Sequence, residues 1–187
     1  DFEGCLVEFY INIVNPAKIG NKIANRFGAK GVINHIIPQD NVPVAEYTGE
    51  LDLFLAPAAI LGRKNTVILK ELYLGKLLIN LKSIVSDYLS NGEIDKAKQA
   101  ITTLYTILDK TGKHVKLFND VFTSDPNLTN LESKLKDPKF NFNFIIPPFN
   151  SVKFKDIKTV ATKLNIPLDE RVYIKDLDTC TKNPVQV

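Results

Sequence analysis

The chain has 187 residues, of which 44% are hydrophobic and 24% charged, a balance that argues against wholesale disorder and against a fibrous class. Its formal charge of +3 is too weak to establish a nucleic-acid partner unless the cations cluster locally. No apolar run approaches the roughly 20 residues of a membrane span, and the two cysteines, Cys5 and Cys180, make no C-x-x-C, so the sequence points away from a membrane, a zinc ribbon or a disulfide framework and toward a reducing cytoplasm.

Methionine is absent, even at position 1, and the first residues run directly into a strand-like segment, which reads as part of a longer chain. That segment, residues 5–14 (CLVEFYINIV), is rich in β-branched and aromatic residues with partial alternation, and predicts a buried strand. Residues 15–31 follow as a loop punctuated by Pro16, Gly20, Gly28 and Gly31, with Lys18, Lys22, Arg26 and Lys30 between them, the densest positive cluster in the chain. A second strand is predicted over residues 32–38 (VINHIIP), a turn region over 43–47, and a short buried strand over 51–55 (LDLFL) closed by Pro57. From Thr66 the apolar period becomes helical through Leu89, with Gly75 expected to bend or divide the helix. After Asn91-Gly92, residues 94–109 form a second amphipathic helix, expected to pair with the first as a hairpin. Residues 118–139 are polar and contain Pro126 and Pro138, so an irregular connection or short helix is expected, and the role of residues 112–140 is unreadable. Residues 141–149 look extended, 155–165 read as a short helix, and 171–174 as a last strand. The order predicts an α+β fold without regular β-α alternation.

Two basic motifs could carry chemistry. In the loop from Gly20 to Gly31 the glycines let the backbone turn sharply and approach a ligand, and the cations could grip phosphate oxygens. It is not a Walker P-loop, because the Lys-Ser/Thr pair is missing and the glycine spacing differs. Gly62-Arg63-Lys64-Asn65 lies before a predicted helix start, where free N–H groups and the planar guanidinium of Arg63 suit an anion. Read without other knowledge, each is more simply a solvated basic turn than a site. Acid–base catalysis is poorly served: His35 falls in an apolar strand pattern, His114 is far from it in sequence, and no residue is expected to act as acid or base. Asp176 and Asp178 lack a third acidic ligand, so no metal is expected to be bound by this chain.

Taken together, the two motifs resemble the β (second-largest) subunit of multisubunit DNA-directed RNA polymerases. Residues 20–31 are similar to that family's G-D-K-x-x-x-R-x-G-x-K-G, and Gly62-Arg63-Lys64-Asn65 to its downstream S-R-M-N. Pro43, Asp52, Leu55 and Pro57 fall in family-like positions between them, and Glu71 and Leu74-Gly75 match an L-E-x-x-L-G helix. The similarity weakens after about Leu81 and returns at Tyr173, Asp176, Thr179, Pro184 and Val185, which resemble Y-D-G-x-T-G…P-V-T-V. Asn21, Asn25 and Phe27 depart from the pattern, as does Gly62-Arg63-Lys64 from S-R-M. This divergence, with a composition rich in lysine, isoleucine and asparagine, is similar to large-bacteriophage polymerases, in which the β subunit can be encoded as separate polypeptides.

The resemblance implies a double-psi β-barrel-type core in the first third, followed by a helical hairpin and a small α/β C-terminal part. The expected organisation is an active-centre region formed by residues 1–66 and 140–187, with the hairpin and its connection at 67–139. It further implies that Lys22 and Lys30 hold phosphates near the RNA 3′ end and that Arg63 holds the incoming nucleotide's triphosphate. Gly20, Arg26, Gly28, Gly31 and Asn65 would support the loop. Mg2+ would be held by the largest (β′-like) subunit, and the partners would be that subunit, the remaining β segments, DNA template, RNA transcript and NTPs. The chain would be inactive alone. Two other classes stay open at the level of sequence: a stand-alone basic nucleic-acid-binding module, and a protein-interaction domain built on the hairpin of residues 66–109.

Overall fold

The computed structural model describes residue 4 and residues 7–25, 28–62, 64, 66–146, 152–175 and 182–186. It divides into two compact units, Asp1–Ile37 and Pro38–Val187.

In the first unit, β1 (Lys22–Ala24) and β2 (Lys30–Val32) form an antiparallel hairpin. The strand expected over residues 5–14 does not form: residues 7–18 carry no regular structure, and Phe9, Tyr10 and Ile11 are 85%, 90% and 80% exposed. Alternating apolar residues favour extended backbone, yet a strand persists only when its amides are paired and one face is covered. The described residues of this unit supply neither to the segment. The strand expected over 32–38 likewise shrinks to the hairpin arm ending at Val32, and His35 is exposed on irregular chain.

The second unit is helical with a small sheet. Strands β3 (Val44–Ala45), β4 (Gly49–Glu50), β5 (Arg171–Lys175) and β6 (Lys182–Gln186) pair antiparallel in the order β4-β3-β5-β6. Val44 stands opposite both Glu50 and Tyr173, and Ala45 opposite Val172. Because side chains alternate across a pleat, Ala45 and Val172 share the buried face while Val44 and Tyr173 lie exposed on the other. The buried strand expected over 51–55 is absent, with Leu53 and Phe54 exposed. Pro57 opens a one-and-a-half-turn helix, α1 (Pro57–Gly62), where its missing N–H costs nothing.

Helix α2 (Val67–Ser90) runs unbroken through Gly75, against the expectation of a division there. Leu74, Leu77, Leu81 and Val85 recur at helical spacing and face Ala97, Ile101, Leu104 and Tyr105 of α3 (Ile94–Leu108). Seven of these eight are fully buried, each apolar side chain contributing about 1.5–3 kcal/mol relative to exposure. Continuous packing on one side overrides the roughly 1 kcal/mol that an interior glycine costs. Of the two forms expected for residues 118–139, irregular connection or short helix, the structure shows helix: α4 (Lys113–Ser124) runs into the stretch and α5 (Thr129–Leu135) lies within it. Each is started by an aspartate: Asp109 accepts from the amides of Thr111 and His114 at 2.8 Å, and Asp125 from those of Thr129 and Asn130 at 3.1 and 2.8 Å. These carboxylates satisfy donors that a helix N-terminus leaves unpaired. Residues 140–146 carry no regular secondary structure, residues 147–149 of the stretch expected to be extended lie outside the described residues, and α6 (Phe154–Lys163) returns to the core through Ile157 and Val160. The whole is α+β, and no helix among the described residues is long and apolar enough to cross a membrane.

Candidate phosphate-binding hairpin

The register of the first unit places its cations. Lys22 pairs with Val32, and Ala24 with Lys30, so Lys22, Ala24, Lys30 and Val32 share one face of the hairpin, with Ile23 and Gly31 on the other. Lys22 and Lys30 are therefore diagonal neighbours on that face, a relation that puts their Cα atoms about 7–8 Å apart. Both side chains are exposed. Two like charges this close repel weakly in water and gain when an anion sits between them.

Polar contacts at both ends fix this geometry. At the open end the Gly20 amide donates to the Ile33 carbonyl at 2.8 Å, and the Ile33 amide to the Asn21 carbonyl at 2.9 Å. The Asn21 side-chain oxygen accepts from the Lys18 amide at 2.9 Å, closing the preceding turn. Aspartate, the family residue at this position, offers the same acceptor, so the departure to asparagine keeps the turn and removes a negative charge beside the lysines. At the tip, the Asn25 amide donates to the Ala29 carbonyl at 2.9 Å, and the Ala29 amide to the Asn25 side-chain oxygen at 3.0 Å. Composition did not single out Asn21 and Asn25 as loop organisers; the available signal was the known habit of asparagine side chains of bonding backbone two to four residues away.

Gly20 and Gly28 have φ of +91° and +82°, the left-handed region that side chains disfavour, whereas Gly31 does not. Gly28→Ala is expected to destabilise the turn by about 1–2 kcal/mol through backbone strain alone, and Gly31→Ala to leave it intact, since a Cβ there meets nothing within 4 Å. Amide exchange at Asn25 and Ala29 in the two variants checks this contrast.

Of the other anticipated site residues, Arg26, Arg63 and Asn65 lie outside the described residues, as do Cys5, Cys180, Asp176, Asp178 and Thr179. Gly62 ends α1, and Lys64 follows with φ of +52°. The hairpin's donor set of ammonium, amide and backbone groups does not fit a divalent cation, which needs hard anionic oxygens. No group of three His, Cys, Asp or Glu side chains suited to a metal occurs among the described residues.

A buried polar cluster that sequence reading missed organises the second unit. Glu170 accepts from the Tyr47 and Thr48 amides at 2.8 and 3.1 Å and from the Thr48 hydroxyl, and pairs with Lys76 at 3.0 Å. Lys76 also donates to the Leu168 carbonyl at 3.0 Å. Burial pushes the Glu170 carboxyl up, and the Thr48 hydroxyl, the Lys76 ammonium and the Tyr47 amide together outweigh it, leaving the group below its ordinary value. Its partners are 122, 123 and 94 residues away in sequence, which no local pattern could reveal.

Residues 3–154 match the family model described as RNA polymerase Rpb2, domain 6. Among curated proteins, the chain is 23% identical over 184 residues to the DNA-directed RNA polymerase subunit beta of Bdellovibrio bacteriovorus, covering 97% of this chain and 12% of that protein. It is 25% identical to the subunit of Granulibacter bethesdensis and 26% identical to that of Rickettsia typhi, in each case over 91% of this chain and 12% of the relative. No solved structure matches the chain. The chain thus spans about an eighth of the length of these relatives, and the match takes in the hairpin, α1 and the helices α2 to α5. It belongs to the RNA polymerase Rpb2 domain 6 family, as a divergent portion of a β subunit.

Proposed function

We propose that the chain supplies a phosphate-holding part of the polymerising centre of a DNA-directed RNA polymerase. The observation that carries the reading is the register that sets Lys22 and Lys30 diagonally on one face of a hairpin, in a chain of this family. In this reading the two lysines hold phosphates near the RNA 3′ end, and Arg63 holds the triphosphate of the incoming nucleotide. Gly20, Arg26, Gly28, Gly31 and Asn65 shape the loops that carry them. Phosphoryl transfer asks little covalent help of protein, so fixed cations aimed at the charge that builds on the triphosphate lower the barrier directly.

The chain would act only in an assembly. The partners in this reading are a β′-like subunit, the remaining β segments, DNA template and RNA transcript, in the cytoplasm of a cell or an infected host. The divergence fits a large-bacteriophage polymerase with a split β subunit. Mg2+, the metal such chemistry uses, would be held by carboxylates of the partner subunit. The exposed apolar run Val7, Phe9, Ile11 and Ile13 supports dependence on partners, because it has the alternation of a strand whose pairing and cover come from elsewhere, as completion of a double-psi β-barrel would require.

Affinity isolation of the tagged chain from its native cell, followed by mass spectrometry and a nucleotide-incorporation assay on the eluate, tests the reading. Co-purification with a chain carrying D-x-D-x-D and template-dependent RNA synthesis are expected. A monomer that binds nucleic acid alone with a steep salt dependence would replace this reading with a binding module. In the reconstituted enzyme, Arg63→Ala is expected chiefly to raise the apparent KM for nucleotide, by about ten-fold or more for the loss of a charge-assisted contact; unchanged kinetics would remove Arg63 from the site.

A further inference from the structure

We propose that His114 is a protonation-sensitive latch that holds the irregular segment of residues 140–146 against the helical layer. The inference is independent of the polymerase reading. Three helices grip this segment: Lys82 of α2 donates to the Phe140 carbonyl at 2.6 Å, the Tyr105 hydroxyl of α3 to the Asn143 carbonyl at 2.8 Å, and the ring of His114 in α4 receives the Ile145 amide. Of the three, only the imidazole contact has an acceptor that an added proton turns into a donor.

The imidazole is held at both ring nitrogens and packs against two aromatic rings. Its Nδ1 lies 2.8 Å from the Asp109 carboxylate, and its Nε2 accepts the Ile145 N–H at 3.1 Å. Asp109 also accepts from the Thr111 and His114 amides and the Thr111 hydroxyl, so it is a carboxylate committed to accepting. The proton therefore sits on Nδ1, and Nε2 presents its lone pair to Ile145. Phe144 stacks on the ring at 4.8 Å with planes 8° apart, and Tyr105 at 5.3 Å and 19°. This arrangement resembles an Asp–His catalytic pair, but the nitrogen that would act as base is occupied by a backbone amide.

The titratable groups facing the ring are few. Asp109 and Tyr105 come from α3 and its end, Lys113 precedes His114 in sequence, and residues 140–146 contain no titratable side chain. A proton added at Nε2 turns the acceptor into a donor that confronts the Ile145 N–H. The imidazolium stays paired with Asp109, so the ring remains in place while the Ile145 end of the segment is released. The latched form carries one proton fewer than the released form, so latching is favoured at higher pH and weakened by acid.

Amide exchange by NMR on the full chain, corrected for intrinsic rates, tests this. The protection of Ile145 is expected to fall roughly ten-fold between about pH 8 and about pH 5, the worth of one net hydrogen bond, while amides in α3 hold theirs. His114→Gln, whose amide oxygen can accept at any pH, is expected to remove the pH dependence. Because a variant could fail to fold, imidazole nitrogen shifts of the wild-type protein provide a second readout, with Nε2 unprotonated at neutral pH. Ile145 protection that does not change between about pH 8 and about pH 5, or a neutral-pH ring protonated on Nε2, would overturn the latch.

Discussion

Lys30→Ala, assembled with its partner subunits, is expected to lower the rate of nucleotide incorporation on the order of a hundred-fold, the scale on which single preorganised electrostatic contacts contribute to catalysis. Lys30 is fixed by the hairpin ladder, directly opposite Ala24 and diagonal to Lys22. Backbone pairing sets where the Lys30 stem leaves the hairpin, a position that a mobile side chain from elsewhere does not reproduce. The same register predicts coupling. If Lys22 and Lys30 hold one phosphate, Lys22→Ala,Lys30→Ala will cost less than the two single losses multiplied together, because either change already spoils the shared contact. Lys30→Arg, which keeps the charge on a longer stem, is expected to recover part of the rate. Single-turnover incorporation on a primed template, with wild-type assembly verified by size exclusion, separates these outcomes. Full activity of Lys30→Ala would take the hairpin out of the polymerising centre altogether.

Glu170→Ala is expected to destabilise the second unit by about 3–5 kcal/mol, since it strands the buried Lys76 ammonium without its partner. Lys76 and Glu170 keep only 12% and 9% of their side-chain surface exposed. The turn that joins β3 to β4 also loses the acceptor of two amides and a hydroxyl. A midpoint fall of roughly 6–20 °C follows from the size of the unit. The carboxyl sits below its ordinary value in the folded chain, so its stabilisation is complete above the unfolded glutamate range and is lost as pH falls through the folded value. Thermal melts at neutral and acidic pH check both parts: the wild type should lose stability on acidification, and Glu170→Ala should lose less.

The helical layer was legible from sequence because its signal is local. Leu74, Leu77, Leu81 and Val85 declare a buried stripe by spacing alone, and the observed α2 and α3 bury those residues. The glycine-punctuated basic loop was legible for the same reason: Gly20 and Gly28 take the left-handed conformations for which glycine is suited. Gly75 misled because propensity is a small term beside a stripe of buried leucines. Residues 118–139 were ambiguous between connection and short helix because their apolar pattern is weak, and the bonds from Asp109 and Asp125 to the first-turn amides of α4 and α5 help to decide for helix.

The strands expected over residues 5–14 and 51–55 failed for a different reason. Alternation specifies which residues want cover, while pairing depends on chain that can lie anywhere in sequence, and the described residues of the unit holding the first run offer it none. By itself, then, the sequence determined the helical hairpin, the basic character of the loop and the family, all properties written in short-range spacing or motif. Only the tertiary structure decided that Lys22 and Lys30 share a face, that Glu170 gathers Tyr47, Thr48 and Lys76, and that His114 spends its second nitrogen on Ile145. Each of these depends on registry between segments distant along the chain, set by ladder hydrogen bonds and by the cost of leaving a buried polar group unpaired.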